Sequence, residues 1–335
     1  MLTLQELSYI FRKSFPPKFM SRQVFEEIQG LTTEGIHPRS AVLENLSVRK
    51  ILEFMNEEDS RVAAAVGVVL PDVEKAVDLV LRSFQAGGRL IYVGAGTSGR
   101  LGVLDAAECP PTFGSDPKQV VGIIAGGRQA VFKSQEGAED RLERGTEDLT
   151  GLRLTSADTV VGITASRRTP YVLGALEYAK SVGAATVFVI CNPAPGSQAG
   201  SLHHTHSKRV DVIIAPILGP ELVMGSTRLK AGTATKMILN MISTAAFVRC
   251  GKVYGGMMVD LRAGSEKLKA RSRRVLMLAA DLDYERAGEL LEQAGGSVKT
   301  AIVMARCGTA KDEAERLLEK SGGFVGQAIG LKKKE

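Results

Sequence analysis

The residues best suited to chemistry lie in a glycine-rich turn that follows an apolar segment. Residues 89–108 read RLIYVGAGTSGRLGVLDAAE, so an expected strand leads through the turn into a helix. Such a turn points backbone N–H groups and the positive end of a helix dipole at one place, where phosphate is stabilised. The hydroxyls of Thr97 and Ser98 can add hydrogen bonds. We therefore expect a phosphate cradle formed by Gly96, Thr97 and Ser98.

Three glycines of this turn, Gly94, Gly96 and Gly99, also fit the pattern G-x-G-x-x-G of dinucleotide-binding proteins. A dinucleotide site needs an acidic residue at the end of the next strand, about 20 residues further on, to hold the ribose. The next expected strand, QVVGIIAGG at residues 119–127, ends without a carboxylate. The sequence therefore favours a monophosphate site and predicts no nicotinamide or other cofactor.

A second polar loop follows the third expected strand. Thr164, Ser166 and Thr169 stand just before Pro170, and proline is favoured at the first position of a helix. Three hydroxyls at a helix N-terminus can bind phosphate oxygens, although ordinary helix capping accounts for the same residue types. Because two such loops follow strands of one sheet, phosphate binding is the favoured interpretation.

A third polar segment, GPELVMGSTRLKAGTATK at residues 219–236, follows the fifth expected strand. Its Arg228 can pair with a phosphate or a carboxylate, and its Lys230 can act as a point charge. Solvation of a surface loop explains these two residues as well as ligand binding does. Both alternatives stay open from the sequence.

Five short runs rich in valine and isoleucine predict the sheet that positions these loops. Near-continuous apolar strands are typical of a parallel sheet with helices on both faces. A long helical pattern from Val62 to Phe84 precedes them and carries Pro71, which predicts a break. The expected fold is α/β, a doubly wound, flavodoxin-like, five-stranded parallel sheet with its ligand site at the carboxyl ends of the strands. The expected strands are residues 89–93, 119–124, 159–164, 185–190 and 210–214.

The β pattern stops towards the C-terminus, where three short helical patterns remain. Asp283 and Thr309 are plausible N-caps among them. We expect a small helical domain at residues 263–335, after an α/β domain at residues 31–262. Residues 1–30 have mixed charge and no clear periodicity, which indicates an N-terminal extension that need not be ordered.

The composition excludes several classes of protein. The chain has 335 residues, 44% of them apolar, and a formal net charge of +6. Its Lys and Arg residues are scattered without interleaved aromatics, which favours small anionic ligands over nucleic acid. The four cysteines lie far apart, which indicates reduced thiols and argues against a disulfide framework. Because no apolar run reaches about 18 residues and no signal-peptide core is present, we expect a cytoplasmic protein without a membrane span.

The three polar segments resemble the sugar isomerase (SIS) domain, which binds phosphosugars. The sequence is more similar still to the N-acetylmuramic acid 6-phosphate etherases, over nearly the whole chain except residues 1–30. The resemblance implies an SIS fold followed by a UBA-like helical domain. Segments that carry the similarity outside the polar loops are Thr33-Glu34, His37-Pro38, NEED at 56–59, DAAECPPTF at 105–113, EGAED at 136–140, NMIST at 240–244, GKVYGGMMVD at 251–260, GSVKTAIVM at 296–304 and GGFVGQ at 322–327.

The resemblance implies a reaction that cleaves the D-lactyl ether of N-acetylmuramic acid 6-phosphate into N-acetylglucosamine 6-phosphate and D-lactate. In the open-chain sugar the C2 proton is acidic because it lies α to an aldehyde, so one base and one acid suffice without a metal. By the resemblance these are Glu108, as the proton donor to departing lactate, and Glu139. The residues alone do not select Glu139, because Glu136, Glu139 and Asp140 are expected on one helical face.

The sequence departs from the family pattern at three positions. Arg167 stands in the second phosphate loop where glycine is usual, and a positive φ there would add about 1 kcal/mol of strain. The arginine side chain would either obstruct the phosphate cradle or bind the phosphate through its forked guanidinium group. His37 and Ser265 stand where asparagine is usual, and we expect both changes to be mild. The histidine-rich run at residues 203–206 is interpreted as a solvated loop and not as a metal site.

Two other functions fit an SIS architecture. A non-catalytic phosphosugar-sensing regulatory protein, similar to the glucokinase regulatory protein, would have a longer chain with two sheet domains and would lack one carboxylate. This chain keeps both Glu108 and Glu139, which favours the enzyme. An aldose–ketose isomerase is disfavoured because the matching motifs extend well beyond the phosphate loops.

We also expect a homodimer with a shared active site. If Ser98 opens a helix that Glu108 closes before Pro110-Pro111, the two residues lie about 15 Å apart. A hexose 6-phosphate spans roughly half of that distance from phosphorus to C3. Unless the helix bends, Glu108 therefore serves the phosphate site of a neighbouring subunit.

Overall fold

The computed structural model describes residues 29–192, 210–261 and 265–333. Within these ranges, five strands form a parallel sheet in the order β2-β1-β3-β4-β5. The second strand is added on one side of β1 and the third strand on the other side, so the order of addition reverses at β1. The carboxyl ends of β1 and β3 are therefore the topological switch point. Each strand overlaps an expected run, so the prediction of a doubly wound five-stranded sheet is confirmed. The strands are β1 (Leu90–Gly94), β2 (Val120–Ile124), β3 (Thr159–Ile163), β4 (Ala185–Val189) and β5 (Val212–Ile214).

The helices of the α/β region begin before the sheet. The predicted break near Pro71 is confirmed, because the first long helical pattern divides at Val69 and Pro71 lies in the first turn after the division. The helices are α1 (Val48–Asp59), α2 (Val62–Val68), α3 (Leu70–Gln85), α4 (Gly96–Phe113), α5 (Gln129–Phe132), α6 (Leu142–Gly151), α7 (Pro170–Val182) and α8 (Lys230–Arg249).

Alternate residues of β1 face two separate apolar layers, as the period of a strand requires. Leu90 and Tyr92 pack with α2, α3, α4 and α8 on one face. Ile91 and Val93 pack with α6 and α7 on the other. The helices that follow β1 and β3 therefore leave the sheet on opposite faces, and a crevice opens between their N-termini.

Beyond a two-stranded hairpin of β6 (Val253–Tyr254) and β7 (Met257–Met258), the chain is helical. The helical C-terminal region is confirmed, but the expected number of three helices was wrong, since the described residues form five with a shared apolar core. The domain limits at 31–262 and 263–335 stay a prediction. The five helices are α9 (Glu266–Ala280), α10 (Tyr284–Gln293), α11 (Val298–Cys307), α12 (Lys311–Lys320) and α13 (Val325–Lys332).

Of the two predicted caps, one is confirmed. Asp283 accepts a hydrogen bond from the backbone N–H of Arg286 at the start of α10. Thr309 was wrong, because its N–H bonds to the carbonyl of Met304 after Gly308 takes a left-handed conformation. Thr309 thus completes the end of α11, a common way to satisfy the last carbonyls of a helix.

Two of the predictions made from the sequence concern residues that the structure does not describe. The histidine run at residues 203–206 and residues 1–28 of the N-terminal extension lie outside the described residues. Within the described ranges, none of the helices combines the length and the apolarity that crossing a bilayer requires.

Candidate active site

The first predicted phosphate loop joins β1 to α4. A Cβ added to Gly94 would lie 2.6 Å from the nitrogen of Gly99, and one added to Gly99 would lie 2.7 Å from the oxygen of Gly94. Gly96 has a φ of +53°, in the left-handed region that favours glycine. No side chain among the described residues caps α4. The N–H groups at its N-terminus therefore face an open position that suits an anion.

The second predicted loop leads from β3 into α7. The Thr164 hydroxyl lies 2.7 Å from that of Thr169 and 3.2 Å from that of Ser166. Pro170 begins α7 as expected, and Thr169 occupies the N-cap position without a capping bond in the described structure. The fold thus brings the three predicted hydroxyls together at a helix N-terminus.

Arg167 in this loop has a φ of +67°. A non-glycine residue in the left-handed region is strained by about 1 kcal/mol or more. Its partly buried guanidinium has no hydrogen-bond or ion-pair partner within the described residues. The positive φ foreseen for this position is present, and the unpaired cation lies in a loop of hydroxyls.

The third polar segment approaches the first loop at the start of α8. A Cβ added to Gly232 would lie 3.5 Å from the carbonyl oxygen of Thr227 and 3.6 Å from the methyl of Thr97. Arg228 is exposed. The third segment and the first loop therefore meet at the crevice, with the Arg228 side chain open to solvent.

Lys230 has a different environment from the one predicted for a phosphate ligand. It is 4% exposed, and its Nζ lies 2.7 Å from Glu58 Oε2 and donates to the carbonyl of Leu218 at 3.0 Å. A buried ammonium needs such partners because desolvation of a lone charge is unfavourable. Lys230 is thus engaged with Glu58 and Leu218 in the protein interior, and its role as a point charge for phosphate stays a prediction.

Sequence reasoning missed the two glutamates around Lys230. Glu221 accepts hydrogen bonds from the backbone N–H groups of Lys230 and Ala231, so that it fills the N-terminus of α8. Burial raises the pKa of Glu58, but the bond to Lys230 and the nearby charges outweigh it and leave the pKa lowered. His37, expected to be a mild change, is buried with its Nε2 3.3 Å from Glu58 Oε1. Only the tertiary fold brings these distant residues together.

Glu139 faces the first loop across a small cavity. The cavity has a volume of about 200 Å³ and is lined by Gly96, Arg100, Ala125 and Glu139 among others. Glu139 is exposed at the surface, and the atoms around its carboxyl group still desolvate it enough to raise its pKa, with the charge of Asp140 adding to the effect. A carboxylate with a raised pKa beside a predicted phosphate loop suits acid–base catalysis.

The segment that carries Glu139 is not the helix expected from its spacing. Residues Ala138–Asp140 form a single three-residue 3-10 turn, and Glu136 lies before it. Gly137, with a φ of +72°, precedes the turn and prevents a longer α-helix. The shared helical face of Glu136, Glu139 and Asp140 was therefore a wrong prediction.

Glu108 lies far along α4 from the first loop. The helix does not close before Pro110-Pro111 as predicted but continues through both prolines to Phe113. Glu108 is exposed, and ten residues of continuous helix place it about 15 Å from Ser98. The structure brings Glu139 to the same cavity as Gly96 of its own chain's first loop and leaves Glu108 away from that loop.

One turn before Glu108, Asp105 anchors α4 in the core. Asp105 is 5% exposed and accepts hydrogen bonds from the Tyr92 hydroxyl at 2.8 Å, the Asn240 amide at 2.6 Å and the Ser243 hydroxyl at 3.1 Å. Burial outweighs these bonds and raises its pKa. Its single carboxylate thereby joins β1, α4 and α8. No local pattern in the sequence indicates this role, since the partners of Asp105 lie on other elements.

We expect Asp105→Ala to lower the free energy of unfolding by about 2–4 kcal/mol, because three donors lose their acceptor in a buried site. Urea unfolding of both proteins measures the loss. Asp312→Ala, at an exposed position, is the matched control and should change stability by less than about 0.5 kcal/mol. A loss at Asp105 no larger than that of the control would contradict the anchoring role.

Comparison with known proteins identifies the family. A family model of the glucokinase regulatory protein N-terminal SIS domain matches residues 72–180. An N-acetylmuramic acid 6-phosphate etherase from Salinibacter ruber is 51% identical over 310 residues, which are 92% of this chain and 97% of the relative. Proteins of the same name from Mycolicibacterium smegmatis and Bacillus subtilis are each 49% identical, covering 91% and 89% of this chain and 99% and 95% of the relatives.

Solved structures are more distant. Phosphoheptose isomerase from Neisseria gonorrhoeae is 15% identical, with a TM-score of 0.42 over 60% of this chain and 99% of that chain. A putative sugar-phosphate isomerase from Listeria monocytogenes is 13% identical, with a TM-score of 0.43 over 61% of this chain and 92% of that chain. These scores add nothing to the fold described above. Since relatives about half identical match over about nine-tenths of its length, the chain belongs to the N-acetylmuramic acid 6-phosphate etherase family.

Proposed function

We propose that this protein cleaves the D-lactyl ether of N-acetylmuramic acid 6-phosphate, which yields N-acetylglucosamine 6-phosphate and D-lactate for amino-sugar recycling from the cell wall. The observation that carries the proposal is the cavity at the switch point of the sheet, where Glu139 faces Gly96 of the open helix N-terminus. A phosphate bound at that N-terminus would hold a sugar against a carboxylate with a raised pKa. Family membership supports the same reaction.

The chemistry needs one base and one acid. Glu139 as carboxylate removes the C2 proton of the open-chain sugar, and Glu108 as carboxylic acid protonates the ether oxygen as its bond to C3 breaks. The products of this step are D-lactate and an α,β-unsaturated aldehyde. Water then adds at C3, with Glu108 accepting its proton while Glu139 returns a proton to C2. The net reaction of the two steps is hydrolysis of the ether, and each carboxyl group returns to its initial protonation state.

The direct test is release of D-lactate from N-acetylmuramic acid 6-phosphate by the purified protein, measured with a D-lactate dehydrogenase assay. We expect release from the phosphorylated sugar and little from the same sugar without its 6-phosphate. Tight binding of the phosphosugar without lactate release would refute the proposal and favour the regulatory alternative. The relatives named above do not support that alternative, since all three bear the name of the etherase.

The acid limb of the pH profile should report Glu139. Because Glu139 acts first in its ionised form and its pKa is raised, kcat/KM should fall as the pH drops through a pKa above the ordinary value of 4.5. Rates measured between about pH 4 and 8 check this expectation. The Glu139→Gln variant should lose most of its activity, and its residual kcat/KM should no longer show this fall at low pH. An acid limb at or below the ordinary glutamate value would show that another group controls it.

The phosphate-binding residues are proposed to be Gly96, Thr97, Ser98, Thr164, Ser166 and Thr169, with Arg228 at the rim. To this set we add Arg167, because its partly buried guanidinium has no ion-pair partner within the described structure. Ser98→Ala, Thr169→Ala and Arg167→Gly should each weaken binding of N-acetylglucosamine 6-phosphate by about 10-fold or more, since bonds to a charged group are lost. Isothermal titration calorimetry measures the affinities.

Binding of N-acetylglucosamine without phosphate is the control and should be equally weak in all variants. Equal affinity of the wild type for both sugars would overturn the phosphate site. Unchanged or tighter binding by Arg167→Gly alone would remove Arg167 from the set and show that its side chain obstructs the cradle.

A homodimer in the cytoplasm is part of the proposal. Its support is the continuous helix α4, which separates Glu108 from the cradle of its own chain by about 15 Å. Leu104, one turn before Glu108 on the same face, is 50% exposed, and exposed apolar side chains of this kind suit an interface. The cytoplasmic location is supported by the four cysteines, all free in the structure.

A further inference from the structure

We propose that Glu34 is a further substrate-binding residue, whose carboxylate accepts hydrogen bonds from neutral donors of the sugar. This inference rests on the proposed function, because it names a contact of the same phosphosugar site. Nothing in the chemistry of the two catalytic carboxylates requires Glu34. Its position, its surroundings and its lack of a partner carry the argument.

Glu34 is held beside the second phosphate loop. It ends the 3-10 turn Thr32–Glu34, and the backbone N–H of Thr33 donates to Asn192 Oδ1 at 3.1 Å. The amide of Asn192 donates in turn to the Thr33 hydroxyl at 2.8 Å and to the carbonyl of Ala165 at 2.7 Å. Asn192, which follows β4, thus ties the turn that carries Glu34 to the loop that follows β3.

The other side of Glu34 meets the third polar segment. The N–H of Gly225 donates to the carbonyl of Thr33 at 3.0 Å. A Cβ added to Gly225 would lie 3.0 Å from Glu34 Oε2, so the glycine leaves the space that the carboxylate needs. The turn that carries Glu34 is therefore tied to the second loop on one side and to the third segment on the other. Its carboxylate lies against Gly225 of the third segment, which itself approaches Thr97 of the first loop.

The Glu34 carboxylate is partly buried and has no hydrogen-bond or ion-pair partner in the part of the chain that the structure describes. The neighbouring buried glutamates differ, since Glu58 is paired with Lys230 and Glu221 caps α8. A partly desolvated carboxylate without donors is unfavourable, so a ligand that supplies donors would bind there. Glu34 is thus the unpaired acceptor among these three glutamates.

The charge of Glu34 decides which part of the ligand it contacts. The 6-phosphate and the lactyl carboxylate are both anions, and a carboxylate repels them. The hydrogen-bond donors that the substrate still offers are its hydroxyls and the N–H of its acetamido group. Glu34 therefore contacts the sugar itself, and it orients the sugar while the loops hold the phosphate.

The test compares two ligands by calorimetry on Glu34→Gln, an isosteric change that removes the charge. Binding of N-acetylglucosamine 6-phosphate should weaken by about 10-fold, because a bond to a charged acceptor becomes a neutral one. Binding of inorganic phosphate should stay the same or tighten, because a nearby negative charge is removed. A residue that only shapes the loops would weaken both ligands together.

Glu44→Gln, at an exposed position, is the matched control and should change neither affinity. Equal weakening of both ligands by Glu34→Gln, or no change in the sugar phosphate, would overturn the proposal. If Glu34→Gln does not fold, Glu34→Asp replaces it, and its shortened carboxylate should weaken only the sugar phosphate. Binding is measured without turnover, so a wild type that releases no D-lactate would refute the proposed function and leave the role of Glu34 to be decided by these affinities.

Discussion

Glu108→Gln and Glu139→Gln are each expected to fold like the wild type and to lose about 10²–10⁴-fold in kcat, the usual contribution of a general acid or base. The amide keeps the size of the side chain but neither accepts nor donates the proton. Both residues are exposed, so the change leaves no buried group without a partner. D-lactate release measures kcat, and the affinity for N-acetylglucosamine 6-phosphate should stay within about threefold, since neither residue holds the phosphate.

Two variants near Glu139 act as controls for this result. Glu143→Gln, exposed on α6, should keep near-normal activity. Glu136→Gln tests the alternative that the sequence left open, because Glu136 lines the same cavity as Glu139. A large loss in Glu136→Gln together with near-normal release by Glu139→Gln would transfer the base to Glu136. Near-normal release by Glu108→Gln would remove Glu108 from the mechanism.

Mixing Glu108→Gln with Glu139→Gln is expected to restore activity that neither protein has alone. Glu139 faces the cradle of its own chain, whereas α4 carries Glu108 about 15 Å from Ser98. If each site takes Glu108 from the neighbouring subunit, a heterodimer contains one site with both carboxylates and one with neither. Random exchange of equal amounts makes half of the dimers mixed, so about a quarter of wild-type activity should return.

The control for this experiment is the double variant Glu108→Gln/Glu139→Gln mixed with either single variant, which should restore nothing. Native mass spectrometry of differently tagged chains confirms that subunits have exchanged. Confirmed heterodimers without activity would place both carboxylates on one chain and require α4 to bend in the complex. A monomer in solution would refute the shared site directly.

The sequence predicted the sheet well because its signal is local. A strand covered on both faces needs apolar side chains at every position, so the runs in β1 to β5 are visible without any knowledge of their neighbours. The signal for the two predicted phosphate loops is equally local, since a glycine turn, hydroxyls and Pro170 all lie within a few residues of a helix start. Even the positive φ of Arg167 could be anticipated, from the glycine usual at that position in the family.

Two local predictions were wrong because the tertiary structure differs from what short sequence patterns suggest. A spacing of three and four suggested a helix for Glu136, Glu139 and Asp140, but Gly137 takes a left-handed conformation and limits the turn to three residues. Pro110-Pro111 suggested that α4 ends there. The helix instead continues to Phe113, and the side chains of Cys109 and Phe113 are packed into the core. Tertiary packing outweighed the local preference in this case.

The sequence by itself determined the family, the parallel sheet and the two loops that present helix N-termini at its edge. Only the tertiary structure decided the environment of each charge. Glu58 and Lys230 are 172 residues apart and form a buried pair, while Glu34 lies unpaired beside Gly225 within the described chain. The reason is that the state of a charged side chain depends on desolvation and on partners brought from distant segments, neither of which leaves a periodic mark in the sequence.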